Sequence, residues 1–573
     1  MTPRRAASRV GAAVAVGTLL AAQVLAAPAA VAVTPPVIDP AALPPDDTPG
    51  PTEEMRQNQA CAQPVVVGDP DVMQAPPGNT MLDLGQAWQY STGAGVMVAL
   101  IDTGVTPNPR FPALAAGGDY VQGLPNGGLT DCESHGTVVA SIIAGAPSNP
   151  ATRPPPRPAT AAAPGLPPPP PANPAPTSPT PTPPAPSTST VTVTAPPPAP
   201  PPPPEEGPPP DGPPPPDGPP PPDAPASGPA DGKQPLVLGP PPGAPDGVVG
   251  VAPDAALISI RQSSVAFSPA RPTPEAAQGH RKAGDILTLA RAIRHAADLG
   301  AKVINVSLAS CINAATPVNQ DPLGAAVRYA AVDKDAVIVA AAGNQGDPDQ
   351  PDCGQNPAFN PLNPDDPRDW AGVRTIVTPA WFSDYVLSVA AVTPDGQPMP
   401  DSINGPWVSV AAPGFRIVGL SSVNGAPVNA LPDRDPGMGD GFWGTSFAAA
   451  YVSGMAALVR AKFPNLTAHQ VIRRIIETAH NPARGVDNQV GHGVVDVVAA
   501  LTFDVPPGDP RPAERLTTTL RVPPGPPPPD LRPRNTALIG GAVVLALAGA
   551  IAGVAALRRR TSDERLGEEQ KAP

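Results

Sequence analysis

The chain has 573 residues, of which 97 are Pro and only 3% are aromatic, so much of it cannot be packed globular core. Its formal net charge is −13, which argues against nucleic acid as a partner because phosphate binding requires a basic surface. These values predict one large folded domain with Pro-rich tails.

The first 32 residues have the pattern of a secretory signal peptide. Three arginines precede an uncharged, mostly apolar run at residues 10–27, and small residues follow it. Both Ala27-Pro28-Ala29 and Ala30-Val31-Ala32 fit the small-residue rule for a cleavage site, and two adjacent arginines near the start are also compatible with a Tat signal. Residues 33–80, which contain Pro and acidic residues, are predicted to be an N-terminal extension.

The next segments alternate between helix and strand patterns. MLDLGQAWQY (81–90) is typical of a helix start, and VMVALI (96–101) is an apolar run that suits a strand buried on both faces. HGTVVASIIAG (135–145) has helical spacing and ends at Gly. From residue 147 to 245 the pattern stops, and the composition predicts a disordered, solvated polyproline II segment. We expect a spacer here rather than a ligand for a Pro-binding domain.

Strand and helix patterns resume after the Pro-rich tract. In chain order they predict a helix at 284–299, a strand at 303–308, a helix at 324–332, a strand at 336–341, apolar runs at 386–392 and 407–413, and helices beginning near 444 and 467. This alternation predicts an α/β domain, residues 81–502, with a mostly parallel, doubly wound sheet between helices. Because deleting the Pro-rich tract leaves the alternation intact, the tract is expected to be an insertion in a loop of this domain.

The C-terminal part is predicted to anchor the chain in a membrane. Residues 503–535 form a Pro-rich linker, and residues 536–557 carry no charge and are long enough to cross a bilayer core. Three arginines follow directly, and positive residues remain on the cytoplasmic side. The alternative is a buried core helix, but the linker separates this run from any core. We therefore expect the large domain outside the cytoplasm and residues 558–573 inside it.

The four cysteines suit an oxidising compartment. Cys61, Cys132, Cys311 and Cys353 are too far apart for a C-x₂-C metal pair, so two disulfides are expected. Four cysteines allow three pairings. We favour Cys61 with Cys132 and Cys311 with Cys353, which join neighbours in sequence, and the alternative is free buried thiols.

Four polar residues lie where the predicted strands end or the predicted helices begin. Asp102 ends one strand, Asn344 follows another, and His135 and Ser446 each open a helix. Functional groups of open parallel sheets gather at the carboxyl ends of the strands. The four residues are therefore expected to share one site.

Together these residues form a complete site for nucleophilic catalysis. The hydroxyl of Ser446 needs a base, and the imidazole of His135 is the side chain that titrates nearest neutrality. Asp102 can hold the imidazole in the right tautomer and stabilise it when it is charged. The side-chain amide of Asn344 and the backbone N–H of Ser446 can donate to an oxyanion.

Each of these residues also has a purely structural interpretation. Asp102 and Asn344 could be turn residues close to Gly, whereas His135 and Ser446 could only start or cap a helix. For Asp102 and Ser446 taken singly, the structural interpretation is the favoured one. Their joint occurrence at the strand ends of one fold type favours catalysis.

The motifs that carry these residues resemble the signatures of the subtilisin-like serine proteases, the subtilases. They are DTG (102–104), HGT (135–137), AAAGN (340–344) and GTSFAA (444–449), in the subtilisin order of Asp, His and Ser. The resemblance covers roughly residues 80–502 apart from the insertion. It implies a subtilisin-like three-layer fold and a serine endopeptidase that acts on protein or peptide substrates without a cofactor.

A narrower resemblance is to the mycosins, the membrane-anchored subtilases of type VII secretion systems. It is carried by GVAPDAALISIRQSS (250–264), the early Cys61, the signal peptide and the C-terminal anchor. It implies a protease domain on the outer face of the inner membrane, associated with the secretion membrane complex, and an N-terminal extension that wraps around that domain without acting as a removable inhibitor. The alternative is a mainly structural subunit of the complex in which proteolysis is dispensable.

The likeness also implies where a peptide substrate lies. Ser307, Leu308, Ala309 and Ser310 would form an extended edge that pairs with the substrate main chain, and Gly343 would border the pocket for the residue before the cut bond. No acidic cluster has the spacing of a calcium loop, so no metal is expected.

Overall fold

The computed structural model describes residues 33–124, 127–150, 153–155, 233–271, 278–346, 352–360, 362, 366, 368–517 and 532–569. The predicted signal peptide and most of the predicted Pro-rich insertion lie outside the described residues. The chain divides into two compact units, Met1–Thr517 and Thr518–Pro573.

The strands all belong to the first unit. In chain order they are β1 Met55–Gln57, β2 Met97–Asp102, β3 Leu114–Asp119, β4 Lys233–Pro235, β5 Ala256–Arg261, β6 Phe267–Pro269, β7 Val303–Val306, β8 Ser310–Asn313, β9 Val337–Ala341, β10 Thr375–Thr378, β11 Val386–Val392, β12 Val408–Pro413, β13 Gly419–Leu420, β14 Pro427–Val428, β15 Ala430–Pro432 and β16 Met438–Gly441.

The α-helices are α1 Pro77–Met81, α2 Leu84–Ala87, α3 His135–Ala144, α4 Gln278–Asp298, α5 Asp321–Arg328, α6 Thr445–Lys462, α7 Ala468–Glu477, α8 Val497–Thr502 and α9 Arg532–Glu569. Short 3₁₀ turns occur at Pro40–Ala42 and Trp370–Gly372, and a π-helical turn, Tyr329–Asp333, continues α5.

The central sheet has seven strands in the order β12-β11-β9-β7-β2-β5-β3, and every neighbouring pair is parallel. Parallel strands are buried on both faces and therefore have continuous apolar sequences, as VINV of β7 and VIVAA of β9 do. The predicted parallel α/β sheet is confirmed.

Helices cover both faces of this sheet, because successive side chains of a strand point to opposite sides. Val98 and Leu100 of β2 join one buried cluster, which also contains residues of α3 and α6. Ala99 and Ile101 join a second cluster on the other face, with residues of α4 and α5. The domain therefore consists of three layers, as expected.

Some element bounds differ from the sequence expectations. The helix expected at residues 284–299 begins at Gln278, and the strand expected to reach residue 308 ends at Val306. The helix pattern that starts at residue 81 is divided between α1 and α2, because Asp83 adopts a left-handed conformation with φ 46°. Such a residue interrupts the helical backbone even where the apolar spacing continues.

The C-terminal end of the predicted insertion is part of the folded domain, which corrects the expected boundary at residue 245. Lys233–Pro235 form β4 and pair antiparallel with β16. Beyond this strand, the backbone N–H of Val237 donates to the carbonyl of Val66 at 2.9 Å. The run KQPLVL (233–238) contains strand-forming residues. It was not recognised as a strand because the segments around it are rich in Pro.

The N-terminal extension contacts distant parts of the first unit. Ile38 forms a bridge with Leu516 near the end of the unit, and Val65 forms one with Ala430. Its strand β1 pairs antiparallel with β6, which follows the central strand β5. The extension therefore pairs with segments that are far from it in the sequence.

The second unit contains the long helix α9. Within it, residues Arg534–Arg560 have a mean hydropathy of 2.3 and are exposed. This stretch is long and apolar enough to cross a membrane, and it contains the predicted residues 536–557.

Candidate active site

Asp102 is fixed at the carboxyl end of β2, a strand of the central sheet. Its side chain is fully buried, and Oδ1 accepts a hydrogen bond from the backbone N–H of Thr103 at 2.7 Å. The same oxygen lies 2.7 Å from Nδ1 of His135. The first pair of the predicted triad is therefore within hydrogen-bonding distance.

His135 is brought to Asp102 by the close approach of two loops. It is the first residue of α3, and a Cβ at the next residue, Gly136, would lie 2.0 Å from the carbonyl oxygen of Gly104. Only glycine allows the DTG and HGT motifs to approach so closely. The imidazole side chain remains 29% exposed, and its ring packs against the ring of Phe447, with 5.3 Å between centroids.

The environment of His135 favours its protonated form. Burial acts to lower the pKa of the imidazole, but the charge and hydrogen bond of Asp102, with smaller contributions from Asp131 and Glu133, raise the pKa above its ordinary value. His135 is thus a stronger base than a free histidine.

Ser446 lies in the first turn of α6, one residue before Phe447, whose ring packs against His135. It is 8% exposed, and its hydroxyl donates to the backbone carbonyl of Ser307 at 2.8 Å. The hydroxyl of Ser307 in turn donates to the carbonyl of Ser446 at 3.1 Å. Backbone N–H groups in a first helical turn have no partner within the helix, so the N–H of Ser446 is available to a ligand.

Asn344 is oriented by the residue before Ser446. Its Oδ1 accepts hydrogen bonds from the backbone N–H of Thr445 at 2.9 Å and from the Thr445 hydroxyl at 3.0 Å. A Cβ at Gly444 would lie 3.1 Å from Nδ2 of Asn344, so the glycine there, with φ 140°, leaves the amide group room. With its carbonyl end fixed, Asn344 presents its NH₂ group as a donor.

These groups share one open cleft of about 1050 Å³. His135, Asn344 and Ser446 line it, together with all four residues of the segment 307–310 that the sequence assigned to substrate binding. Gly343 does not lie in the cleft wall. Gly343 has a φ of 99°, and its backbone N–H donates to the Thr445 hydroxyl at 3.1 Å. It therefore stabilises the helical turn that contains Ser446.

Both disulfides have the pairing favoured from the sequence, and both lie at this site. Cys61–Cys132 joins the N-terminal extension to the loop that precedes His135, and Cys311 and Cys353 both border the cleft. There are no free cysteines.

Two groups of residues around the site were not predicted from the sequence. One is the extension, whose residues Pro51, Thr52, Glu53 and Met55 form part of the cleft wall. The other is a buried polar cluster behind Asp102, in which the Asp131 carboxylate accepts hydrogen bonds from Thr103, Glu133 and Thr137. Asp131 lies close to His135 in the sequence DCESHGT, and this proximity could have indicated it. No local sequence pattern indicates that residues of the extension line the cleft.

The described residues include no group of three or more His, Cys, Asp and Glu side chains that could hold a metal ion.

This fold and these motifs define a class of enzyme. The model of the subtilase family matches residues 232–493, which include Asn344 and Ser446. The protein is therefore a subtilase, a serine-type endopeptidase.

Comparison over the whole length identifies the branch of that family. The chain is 53% identical to mycosin-2 of Mycobacterium tuberculosis (strain ATCC 25618 / H37Rv) over 544 residues, which are 93% of this chain and 94% of that protein. It belongs to the mycosins.

Two solved structures have the same fold. The crystal structure of MycP1 from the ESX-1 type VII secretion system is 38% identical, with a TM-score of 0.65 over 85% of this chain and 100% of that one. A chain in the periplasmic assembly from the ESX-5 inner membrane complex is 45% identical, with a TM-score of 0.64 over 86% of this chain and 100% of that one.

Proposed function

We propose that this mycosin cleaves peptide bonds by a Ser-His-Asp mechanism, anchored in the cell membrane as part of a type VII secretion complex. The observation that carries the mechanism is the 2.7 Å contact between His135 and Asp102 in the cleft that also holds Ser446. A buried carboxylate behind an imidazole keeps the proton on Nδ1 and leaves Nε2 free to act as a base.

The first chemical step requires Ser446 to change hydrogen-bond partner. Its hydroxyl now donates to the Ser307 carbonyl, and a turn of about 120° about χ1 moves it to another staggered position. There it gives its proton to Nε2 of His135 while its oxygen attacks the carbonyl carbon of the substrate. Asp102 stabilises the imidazolium that forms.

Two hydrogen-bond donors stabilise the negative charge that develops on the substrate oxygen. These are the NH₂ group of Asn344, whose carbonyl end is held by Thr445, and the backbone N–H of Ser446. His135 then gives its proton to the leaving amine, and water releases the acyl group by the same steps in reverse. The substrate main chain lies along residues 307–310, which border the cleft.

Membrane attachment is supported by the length and hydropathy of Arg534–Arg560. The arginines at residues 558–560 support an orientation in which this end of the helix is in the cytoplasm and the protease domain is on the other side. The orientation is tested by digesting intact spheroplasts with an added protease. Digestion of the domain but not of a C-terminal epitope is expected, and a protected domain would contradict the orientation.

The catalytic assignment is tested with a fluorophosphonate probe, which reacts with activated serines. The full-length protein, purified in detergent, should be labelled, and Ser446→Ala should not be labelled although it unfolds at the same temperature. Equal labelling of the two proteins would reject the assignment.

A second function is favoured by one observation. The related chain in the ESX-5 inner membrane complex is part of a solved assembly. A structural role predicts that Ser446→Ala still supports secretion, whereas deletion of residues 533–573 does not. Loss of secretion in both variants, with the complex intact in Ser446→Ala, would show that proteolysis is needed.

A further inference from the structure

Asp131 is a buried carboxylate directly behind the active site. It lies four residues before His135 and is 7% exposed. Its Oδ2 accepts from the backbone N–H of Thr137 at 2.8 Å and from the Thr137 hydroxyl at 2.6 Å. Its Oδ1 accepts from the Thr103 hydroxyl at 2.9 Å and from the backbone N–H of Glu133 at 3.2 Å. Four donors on one carboxylate are the arrangement that favours its ionised form.

The hydroxyl of Thr103 connects this carboxylate to Asp102. The Thr103 oxygen lies 2.9 Å from Asp131 and 3.2 Å from Oδ1 of Asp102, and it accepts the backbone N–H of Gly136 at 3.0 Å. The hydroxyl has one proton, so it can serve only one of the two carboxylates at a time. The shorter distance assigns that proton to Asp131.

The charge of Asp131 therefore affects how strongly Asp102 binds His135. While Asp131 is ionised, it takes the Thr103 proton, and Oδ1 of Asp102 accepts only from the Thr103 backbone and from His135. When Asp131 is protonated, it donates to the Thr103 oxygen, and the Thr103 hydroxyl turns to Asp102. An additional donor on Asp102 makes that carboxylate a weaker partner for the imidazolium.

Burial, hydrogen bonds and nearby charges all act on the pKa of Asp131. Burial raises the pKa of Asp131 to about 6, the hydrogen bonds from Thr137 and Thr103 act against this, and the charge of Asp102 adds to it. The charged groups around Asp131 are Asp102 at the end of β2, His135 at the start of α3 and Glu133 on its own loop. The pKa of Asp131 therefore lies above that of an exposed aspartate, while its hydrogen bonds still favour the ionised form.

We propose that Asp131 is a positioning residue that acts in its ionised form: it binds the Thr103 hydroxyl and leaves Oδ1 of Asp102 to the Thr103 backbone N–H and to His135, which makes His135 a stronger base. This role rests on the Ser-His-Asp mechanism proposed above, to which it adds a second carboxylate. It also explains why a carboxylate that is costly to bury occurs here at all.

The test measures the rate of fluorophosphonate labelling between pH 4.5 and 9 on the full-length protein. Labelling requires unprotonated His135, so the rate falls on the acid side with the pKa of this residue. Asp131→Asn removes a negative charge near the imidazole, which lowers that pKa, so the acid midpoint should move to lower pH by about one unit. The plateau rate should fall about ten- to a hundredfold because Asp102 and His135 are less well aligned.

Two substitutions of Thr103 are the matched controls. Thr103→Val removes the bridging hydroxyl but keeps the charge of Asp131, so the plateau should fall at least about tenfold while the midpoint stays near its original pH. Thr103→Ser keeps the hydroxyl and should restore both the plateau and the midpoint. A purely structural role of Asp131 would lower the labelled amount without moving the midpoint.

An unchanged midpoint in Asp131→Asn would overturn the proposal, since it would mean that Asp131 is already neutral in the working enzyme. If Asp131→Asn does not fold, the Thr103 pair decides: equal rates for Thr103→Val and the unsubstituted protein would also overturn it. Neither of these two results would contradict the proposed Ser-His-Asp mechanism, as long as the unsubstituted protein is labelled. Absence of labelling in the unsubstituted protein would instead reject the mechanism, and this role with it.

Discussion

The two halves of the active site are held by different kinds of contact. Around His135 the contacts are polar: Asp102 binds the imidazole, and Asp131 accepts hydrogen bonds from Thr103 and Thr137. Around Ser446 they are mainly apolar, because α6 is buried from Thr445 to Ala461 and the Ser446 hydroxyl bonds to a main-chain carbonyl. The base therefore depends on ionisable groups, whereas the nucleophile depends on the packing of a helix.

The largest effect that separates the two halves is expected from Asp102→Asn. The amide keeps the size of the side chain but presents either an NH₂ group or a neutral oxygen to Nδ1 of His135, so the imidazole takes the wrong tautomer or loses its charge partner. The rate of peptide hydrolysis should fall about 10⁴-fold. It is measured at the pH optimum on the same protein preparation as the fluorophosphonate labelling. A decrease of less than tenfold would mean that His135 is oriented by other contacts.

Changes to Asn344 test the Ser446 half and should have a smaller effect. Asn344→Ala removes the oxyanion donor, and the rate of hydrolysis should fall about 10²–10³-fold. Asn344→Asp is the matched variant, because it keeps an acceptor for the Thr445 N–H but loses the donor. If Asn344→Ala were slow and Asn344→Asp nearly as fast as the original, the role of Asn344 would be to hold Thr445 rather than to stabilise the oxyanion.

The residues of the site that sequence could predict are those with a short local pattern. Asp102, His135, Asn344 and Ser446 each follow a buried strand or open a helix, and the parallel sheet brings those ends to one edge. The apolar patterns also gave approximate bounds for β2, β7, β9, β11 and β12. Strand order could not be obtained this way, because β2 has β5 and β7 as neighbours and an apolar run does not specify its partner.

The supporting residues were missed because their contacts are between loops. Thr103 and Asp131 are 28 residues apart, and only the fold brings their oxygen atoms to 2.9 Å. Likewise, Met55 of the extension reaches the cleft because β1 pairs with β6, more than 200 positions later in the chain. The favoured pairing of Cys61 with Cys132 was the only indication that the extension approaches His135.

Removal of the Cys61–Cys132 disulfide tests how far the His135 half depends on the extension. Cys61→Ser with Cys132→Ser should lower the free energy of unfolding by about 2–4 kcal/mol, because the unfolded chain regains the freedom of a 71-residue separation. The labelling rate should change less than it does in Asp102→Asn, because Asp131 still binds Thr103 and Thr137. Denaturant unfolding under non-reducing conditions measures the first effect.

The control is the other disulfide, with a separation of 42 residues. Cys311→Ser with Cys353→Ser should cost a similar free energy, but it should leave the protease sensitivity of residues 33–60 unchanged. Equal sensitivity of that segment in both double variants would show that β1 and its neighbours, not the disulfide, hold the extension in place.

The smallest effect is expected from Ser307→Ala, on the Ser446 side. The bond that the Ser446 hydroxyl makes uses the main-chain carbonyl of residue 307, which the substitution leaves in place. What is lost is the bond from the Ser307 hydroxyl to the Ser446 carbonyl, and the acceptor for Nδ2 of Asn305. The protein should lose about 1–3 kcal/mol of unfolding free energy, because the buried NH₂ group of Asn305 is left without its acceptor, while hydrolysis slows less than about tenfold. A rate loss as large as that of Asn344→Ala would mean that the hydroxyl of Ser307, and not the packing of α6, positions the nucleophile.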